Sequence, residues 1–324
     1  MRRSDTPLVS SLSARWRLSS VGLALLLVTC GPFQREVSPG TPRVALVMKS
    51  LANAFFVTMA EGARAHQATH AEEYELIVNG TKDEADIAQQ VILVDQMISI
   101  GVDAIVLAPT DSRVLVPAVK RALEAGIVVV NIDNKLDEEV LGSVGIDVPF
   151  VGPDNREGAR LVGAALAEHL TPGAPVAIIG GIPTAFNAVE RQAGFEQAMK
   201  AAGAEVVVVQ SGRWEQSLAN SVAAAMISEH PELEALLCAN DSMALGAAAA
   251  VRQAGKTGEI LIVGFDNIPA VQGLMERGRI LATADQHAAD LATFGIEAAL
   301  EILRGEAAPE DRETPVDLIT ANSP

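Results

Sequence analysis

The sequence predicts an α/β protein of two similar Rossmann-like lobes, each built on a mainly parallel sheet. Three observations predict it. Short apolar runs rich in Val, Ile, Leu and Ala alternate with longer segments of helical period along most of the 324 residues. The runs are continuous rather than alternating apolar with polar, as in sheets covered on both faces by helices. Nine such runs can be counted, which is unusual for a single doubly wound sheet and comfortable for two.

The elements follow in order. Arg2, Arg3, Arg15 and Arg17 precede an apolar run from Val21 to Val28, too short to span a bilayer and of the length of an export-signal core. The run ends Leu27-Val28-Thr29-Cys30-Gly31, similar to a lipobox, which makes residues 1–30 an expected leader with Cys30 as the acylated residue. Thr29 is larger than the usual small residue there, and a plain secretory signal cut nearby fits the same segment. Pro32, Pro39, Gly40 and Pro42 mark residues 31–42 as a linker. Strands are expected at 43–48, 75–79, 103–108, 127–132, 175–180, 204–210, 235–239, 260–264 and 280–284. Helices are expected near 54–69, 83–99, 112–124, 155–170, 187–201, 214–229, 241–254 and 287–303.

The βα alternation calls for parallel strands joined by right-handed crossovers. Gly142, Gly145, Pro149, Gly152 and Pro153 place the join between lobes in residues 142–154, with further crossings after Thr283 and within 309–317. The expected first lobe is 43–153 plus 286–312, and the second is 154–285 plus 313–324. Several crossings make a hinge.

Charge narrows the function. The net charge is −17, and beyond residue 29 there remain 20 basic and 40 acidic residues, a net charge of −20. Such a surface repels nucleic acid, and no basic recognition helix offsets it. Cys238, in a strand-like run, reads as a small buried hydrophobe.

Loops at the carboxyl ends of parallel strands share one edge of a sheet. Here they are polar: Lys49-Ser-Leu-Ala-Asn53, Asn131-Ile-Asp133-Asn134-Lys135, Asn240-Asp241 and Phe265-Asp266-Asn267. Asp266 suits a helix cap as well as a ligand contact, and so do Asn240 and Asp241; of the last two, Asn240 is the expected contact and Asp241 the structural residue.

These segments carry a resemblance. Lys49-Ser-Leu-Ala-Asn53-Ala-Phe55-Phe56, Ala108-Pro-Thr-Asp-Ser112, Asn131-Ile-Asp133, Glu190-Arg191, Gln210 to Trp214, Cys238-Ala-Asn240-Asp-Ser-Met-Ala-Leu-Gly246, Gly264-Phe-Asp266 and Thr283-Ala-Asp-Gln286 are similar to the ribose/allose-binding class of periplasmic sugar-binding proteins. The resemblance spans residues 43 to about 318, and Lys49 and the segment from Cys238 to Gly258 lean toward the allose-binding members. It implies a type I periplasmic-binding-protein fold, no enzymatic activity and no cofactor. It implies a monosaccharide or polyol in the interlobe cleft, delivery to the permease subunits of an ABC importer, a possible chemoreceptor partner and a monomeric chain. The implied ligand set is Lys49, Asn53, Phe55, Phe56, Asp133, Asn134, Arg191, Trp214, Asn240, Asp266 and Gln286. The chemistry is apt: carboxylates accept from paired hydroxyls, Arg191 donates through a rigid fork, the amides do both, and Phe56 with Trp214 would sandwich the ring faces. Asn134 departs from the class, where ribose-binding members carry Arg and allose-binding members an acidic residue.

Rival functions lack their motifs. No glycine-rich phosphate loop follows a strand, no Walker A loop occurs, and G-x-S-x-G is absent. His66 and His70 stand four apart without the HExxH context and are expected to face solvent, while His287 follows Gln286 near a crossing. A sugar-sensing regulator would begin with a basic helix-turn-helix where this chain has its leader.

Overall fold

The structure is a computed structural model that describes residues 40–306 and 310–323; Cys30, the leader and most of the expected linker lie outside them. Two six-stranded sheets carry the fold. The first contains β1 (Arg43–Ser50), β2 (Glu75–Thr81), β3 (Ala104–Leu107), β4 (Val128–Ile132), β5 (Phe150–Pro153) and β11 (Arg312–Thr314), in the order β11-β5-β4-β3-β1-β2. The second contains β6 (Pro175–Gly180), β7 (Glu205–Ser211), β8 (Ala235–Cys238), β9 (Leu261–Val263), β10 (Ala282–Asp285) and β12 (Asp317–Thr320), in the matching order β12-β10-β9-β8-β6-β7. All neighbours pair in parallel except β10 with β12. The lobes are therefore topological copies, and in each the strand order reverses beside its first strand, where such sheets open a ligand crevice.

The helices of the first lobe are α1 (Ala54–Thr69), α2 (Ile87–Ile100), α3 (Val116–Glu124), α4 (Glu138–Ser143) and α10 (Ala288–Arg304). Those of the second are α5 (Asn155–Ala167), α6 (Phe186–Ala202), α7 (Gln216–Glu229), α8 (Asp241–Gln253) and α9 (Pro269–Met275). The sheet interiors are fully buried, as the continuous runs require: β3 and β8 have no residue in contact with solvent beyond traces. Close approach of α5 to α6 depends on Gly194, where a Cβ would lie 2.2 Å from the Arg156 carbonyl oxygen.

The chain passes between sheets three times: between β5 and α5, between β10 and α10, and between β11 and β12. β11 stays with the first sheet through Thr314, so residues 313 and 314 lie in the first lobe rather than the second.

Three strands and two short helices were not expected from sequence. β5, β11 and β12 have only three or four residues each, and β5 reads Phe-Val-Gly-Pro, a composition that resembles a turn. Gly152 is needed there because the Phe150 ring lies across it, 2.3 Å from where a Cβ would sit. α2 and α3 begin at Ile87 and Val116, four residues later than expected at each, because the preceding residues form turns: Asp111 Oδ1 accepts from Arg113 N and Val114 N at 2.8 Å. His66 is only partly exposed, stacked on His70 at 4.1 Å and hydrogen-bonded to the Tyr74 hydroxyl at 2.9 Å, so it does not face solvent freely. Cys238 is buried, and burial pushes its thiol pKa up.

Candidate functional site

The carboxyl ends of both sheets face each other, and the loops there form one buried chamber. It is lined by Lys49, Asn53, Phe55, Phe56, Glu84 and Asp133 from the first lobe, Asn187, Arg191, Trp214, Asn240 and Asp266 from the second, and Gln286 at a crossing. Ten of the eleven residues expected from sequence meet here.

Each side chain is set by the element that ends or begins at it. Lys49 lies near the end of β1 and reaches Asp133 at 2.7 Å, both residues 2 % exposed. Asn53 caps α1, accepting from Phe55 N at 3.0 Å, and its amide donates to Glu84. Asn240 caps α8, accepting from Met243 N at 2.9 Å, so one amide serves as cap and chamber wall together. Arg191 emerges from α6, stacks on Phe265 at 3.7 Å, and donates to Asn155 Oδ1 at 2.8 Å and to the Ala239 carbonyl at 2.9 Å. It approaches Asp266 at 3.4 Å, while Gln286 donates to the same carboxylate at 2.7 Å. Asp241 is structural, holding Thr283 Oγ1 and Ile268 N behind the chamber at 2.8 and 2.9 Å.

The backbone here is strained. Asp133, Arg213, Trp214, Asp266, Asn267 and His287 have positive φ, and among the described residues these are all the non-glycine cases. Each costs on the order of 1–3 kcal/mol, a cost that persists where a site demands the geometry. Asp133 at φ 62° explains the one expected residue that is missing. The left-handed turn swings Asn134 away from the chamber. Its amide nitrogen donates to the Pro109 carbonyl at 3.0 Å, and its oxygen accepts from Asn187 N at 3.2 Å. Asn134 is thus a contact between lobes rather than a wall of the chamber.

Two wall residues were missed. Glu84 follows β2 within Lys82-Asp83-Glu84, and nothing in a run of three charges marks the one that turns inward. Asn187 opens α6 after Gly180-Gly181, and its place after a strand end of the second lobe was the available signal.

The chamber is tight, about 10 Å³, room for one water at most. The Lys49 ammonium lies 5.7 Å from the Phe56 ring centroid and 5.9 Å from that of Trp214, filling the space between two rings. A larger hollow of about 540 Å³ lies between α8 and α9, walled largely by side chains such as Leu245, Leu274 and Ile280, and none of the chamber's polar groups reach it.

Seven buried side-chain polar atoms lack a hydrogen-bond partner among the described residues, and five belong to the chamber: Asp133 Oδ2, Asn187 Oδ1, Arg191 Nη2, Trp214 Nε1 and Gln286 Oε1. Asp133 Oδ2 is near Lys49, but in an ion pair without hydrogen-bond alignment. Burial pushes Glu84 up to about 7 against the pull of Lys49, and pushes Asp266 up to about 7 against that of Arg191. Both carboxyls hold a proton in the folded protein at pH values where the unfolded chain has lost it. Stability from this source is full below pH about 4 and is lost as the pH rises through about 7. The sugar-free protein is therefore expected to melt several degrees higher at pH 5.5 than at pH 8 in calorimetry; equal or reversed values would contradict the buried, proton-holding site.

The comparisons agree with this fold. Residues 44–307 match the periplasmic binding protein domain model. A D-ribose/D-allose-binding protein of Pseudomonas aeruginosa is 54 % identical over 307 residues, 92 % of this chain and 96 % of that one. An ABC transporter solute binding protein from Burkholderia multivorans superposes with a TM-score of 0.85 at 57 % identity, covering 87 % of this chain and all of that one. A solute binding protein from Actinobacillus succinogenes with bound D-allose gives a TM-score of 0.82 at 32 % identity, covering 87 % and 98 %. With two lobes of type I topology meeting over a polar chamber, the chain belongs to the periplasmic binding protein family.

Proposed function

We propose that this protein binds a neutral aldose of the ribose or allose kind between its lobes and presents it to the permease subunits of an ABC importer. The observation that carries the reading is the convergence on one chamber of four buried polar atoms without a partner, Asn187 Oδ1, Arg191 Nη2, Trp214 Nε1 and Gln286 Oε1, beside the buried Lys49–Asp133 ion pair. A buried unpaired donor or acceptor is costly, and a ring of hydroxyls, each able to donate and accept, supplies partners for all of them. Asp133, Asp266 and Glu84 accept, Arg191 and the Trp214 indole donate, and Asn53, Asn187, Asn240 and Gln286 do either. Phe56 and Trp214 cover the apolar ring faces once Lys49 withdraws.

The chamber as it stands has room for about one water, so a sugar enters only when the lobes part, and the closed form around it must be wider than the one seen here. Ligand bound only by the closed form shifts the population toward it. The chain works alone, exported and tethered through an acylated Cys30, and its closed form is also the form a chemoreceptor would read. No helix among the described residues is long and apolar enough to cross a membrane.

Thermal-shift measurement with D-ribose, D-allose, D-arabinose, myo-inositol and ribitol tests the reading. D-ribose or D-allose at a hundredfold excess over Kd is expected to add about 2.7 kcal/mol of stability. Stabilisation by myo-inositol or ribitol alone would move the ligand class to polyols. No stabilisation by any of the five would overturn the reading.

A further inference from the structure

Helix α6 begins without a cap of its own. Its N-cap residue is Ala185, whose side chain can accept no hydrogen bond. Helices α1, α2, α4, α5 and α8 supply theirs from Asn53, Asp86, Asp137, Asp154 and Asn240, while α3, α7, α9 and α10, like α6, have no side-chain cap. The first N–H groups of a helix have no partner within it and must find one elsewhere when buried. At α6 the account closes across the cleft. Phe186 N donates to Ser112 Oγ at 3.0 Å, and Asn187 N donates to Asn134 Oδ1 at 3.2 Å. Ala188 N turns back to the Ala185 carbonyl at 3.1 Å, and Ala185 N to that of Ile182 at 3.0 Å.

Both acceptors belong to the first lobe, Ser112 beyond β3 and Asn134 beyond β4, and both are buried. They are also held in place. Ser112 Oγ lies 3.4 Å from Asn134 Oδ1, and the Asn134 amide is oriented by its donation to the Pro109 carbonyl at 3.0 Å. That bond leaves the oxygen, not the nitrogen, facing α6.

We propose that Ser112 and Asn134 form a cap for α6 that exists only when the lobes are closed, and that this cap helps to set the closing equilibrium. The inference rests on the reading of a sugar bound by closure. Parting the lobes removes both acceptors from α6 at once and leaves its N-terminus to solvent. Neither residue lines the sugar chamber, so the cap acts on the affinity for every ligand alike. The residue after Asp133 then serves as a positioning residue, separate from the choice of sugar.

Three variants test this: Ser112→Ala, Asn134→Ala and Ala185→Ser. Each of the first two is expected to weaken D-ribose and D-allose binding by a common factor of about five, the usual effect of a lost helix cap. The ratio of the two affinities stays unchanged. Ala185→Ser gives α6 a cap in both states, so it also weakens binding while the melting temperature of the sugar-free protein holds or rises. A structural defect would lower both. Spin labels on Ile92→Cys and Leu218→Cys, one exposed site on each lobe, read the separation directly in protein carrying Cys30→Ser, because the remaining native cysteine, Cys238, is buried. In the sugar-free protein, Ser112→Ala should deplete the short-distance population.

Affinities within twofold of wild type together with an unchanged distance distribution would overturn the cap. A changed ribose-to-allose ratio in Asn134→Ala would make Asn134 a ligand contact instead. If the unaltered protein bound neither sugar, the proposed function would fail, and the distance distribution would still decide the cap.

Discussion

Arg191→Ala is expected to destabilise the sugar-free protein by about 3–5 kcal/mol at alkaline pH, and by less at acid pH, and to remove measurable sugar binding, because it leaves the buried Asp266 carboxyl either charged without a partner or obliged to keep its proton. Arg191 and Asp266 are 2 % and 5 % exposed in their side chains. The guanidinium is the cation nearest Asp266, and it opposes the burial that pushes this carboxyl up to about 7. Without it Asp266 keeps its proton to higher pH, and the carboxylate that would accept from hydroxyls is lost together with the donor. The Ala239 carbonyl and Asn155 Oδ1 lose their partner in the same step. Arg191→Met with Asp266→Asn removes both charges and keeps most of the volume, so it is expected to recover most of the stability and none of the binding. Urea unfolding and calorimetric titration separate the two effects. A single Arg191→Ala variant that keeps its unfolding midpoint would show that the pair carries no such energy. A double variant that binds sugar normally would remove Arg191 and Asp266 from the site.

Much of the fold was legible because burial on both sides of a sheet leaves a plain signature. Runs such as Ala104–Leu107 and Ala235–Cys238 allow no other reading at that length between helical segments. β5 was illegible for the opposite reason. It pairs with β4 through only Asn131–Phe150 and Ile132–Val151, so tertiary contact rather than composition makes it a strand. Within the chamber, residues at strand ends and helix caps could be placed from sequence, since topology brings those loops together. Side-chain direction could not. Asn134 adjoins Asp133, yet a single left-handed φ of 62° sends the two to different tasks. Glu84 was hidden by neighbouring charges, and only the late start of α2 at Ile87 frees its loop to turn inward. Lys49 was expected as a donor to the ligand. Its position between two aromatic rings reflects contacts from opposite lobes that no local pattern encodes.

Trp214→Ala is expected to weaken sugar binding about a hundredfold or more and to cost roughly 3–5 kcal/mol of stability, as for other buried large aromatic side chains cut to alanine. The indole is 4 % exposed, lies against Gly181, and has the Lys49 ammonium and the Arg191 guanidinium near its ring at 5.9 and 5.7 Å. A Cβ at Gly181 would fall 2.0 Å from the ring, so Gly181→Ala must displace the indole while leaving it in the protein. That variant separates packing from recognition: sugar affinity should fall at least tenfold with a smaller loss of stability than in Trp214→Ala. Fluorescence supplies the direct readout. The sequence has two tryptophans, and the other, Trp16, lies in the expected leader, so emission from the chain without that segment reports Trp214 alone. Withdrawal of the Lys49 ammonium and pairing of Nε1 with a sugar hydroxyl change the field at the ring, and the emission should shift on titration with D-ribose or D-allose. In Trp214→Phe the signal vanishes but part of the affinity remains, because a phenyl ring still covers a sugar face without the N–H donor. A silent spectrum alongside calorimetrically confirmed binding would move Trp214 out of the recognition surface and leave Phe56 as the ring platform.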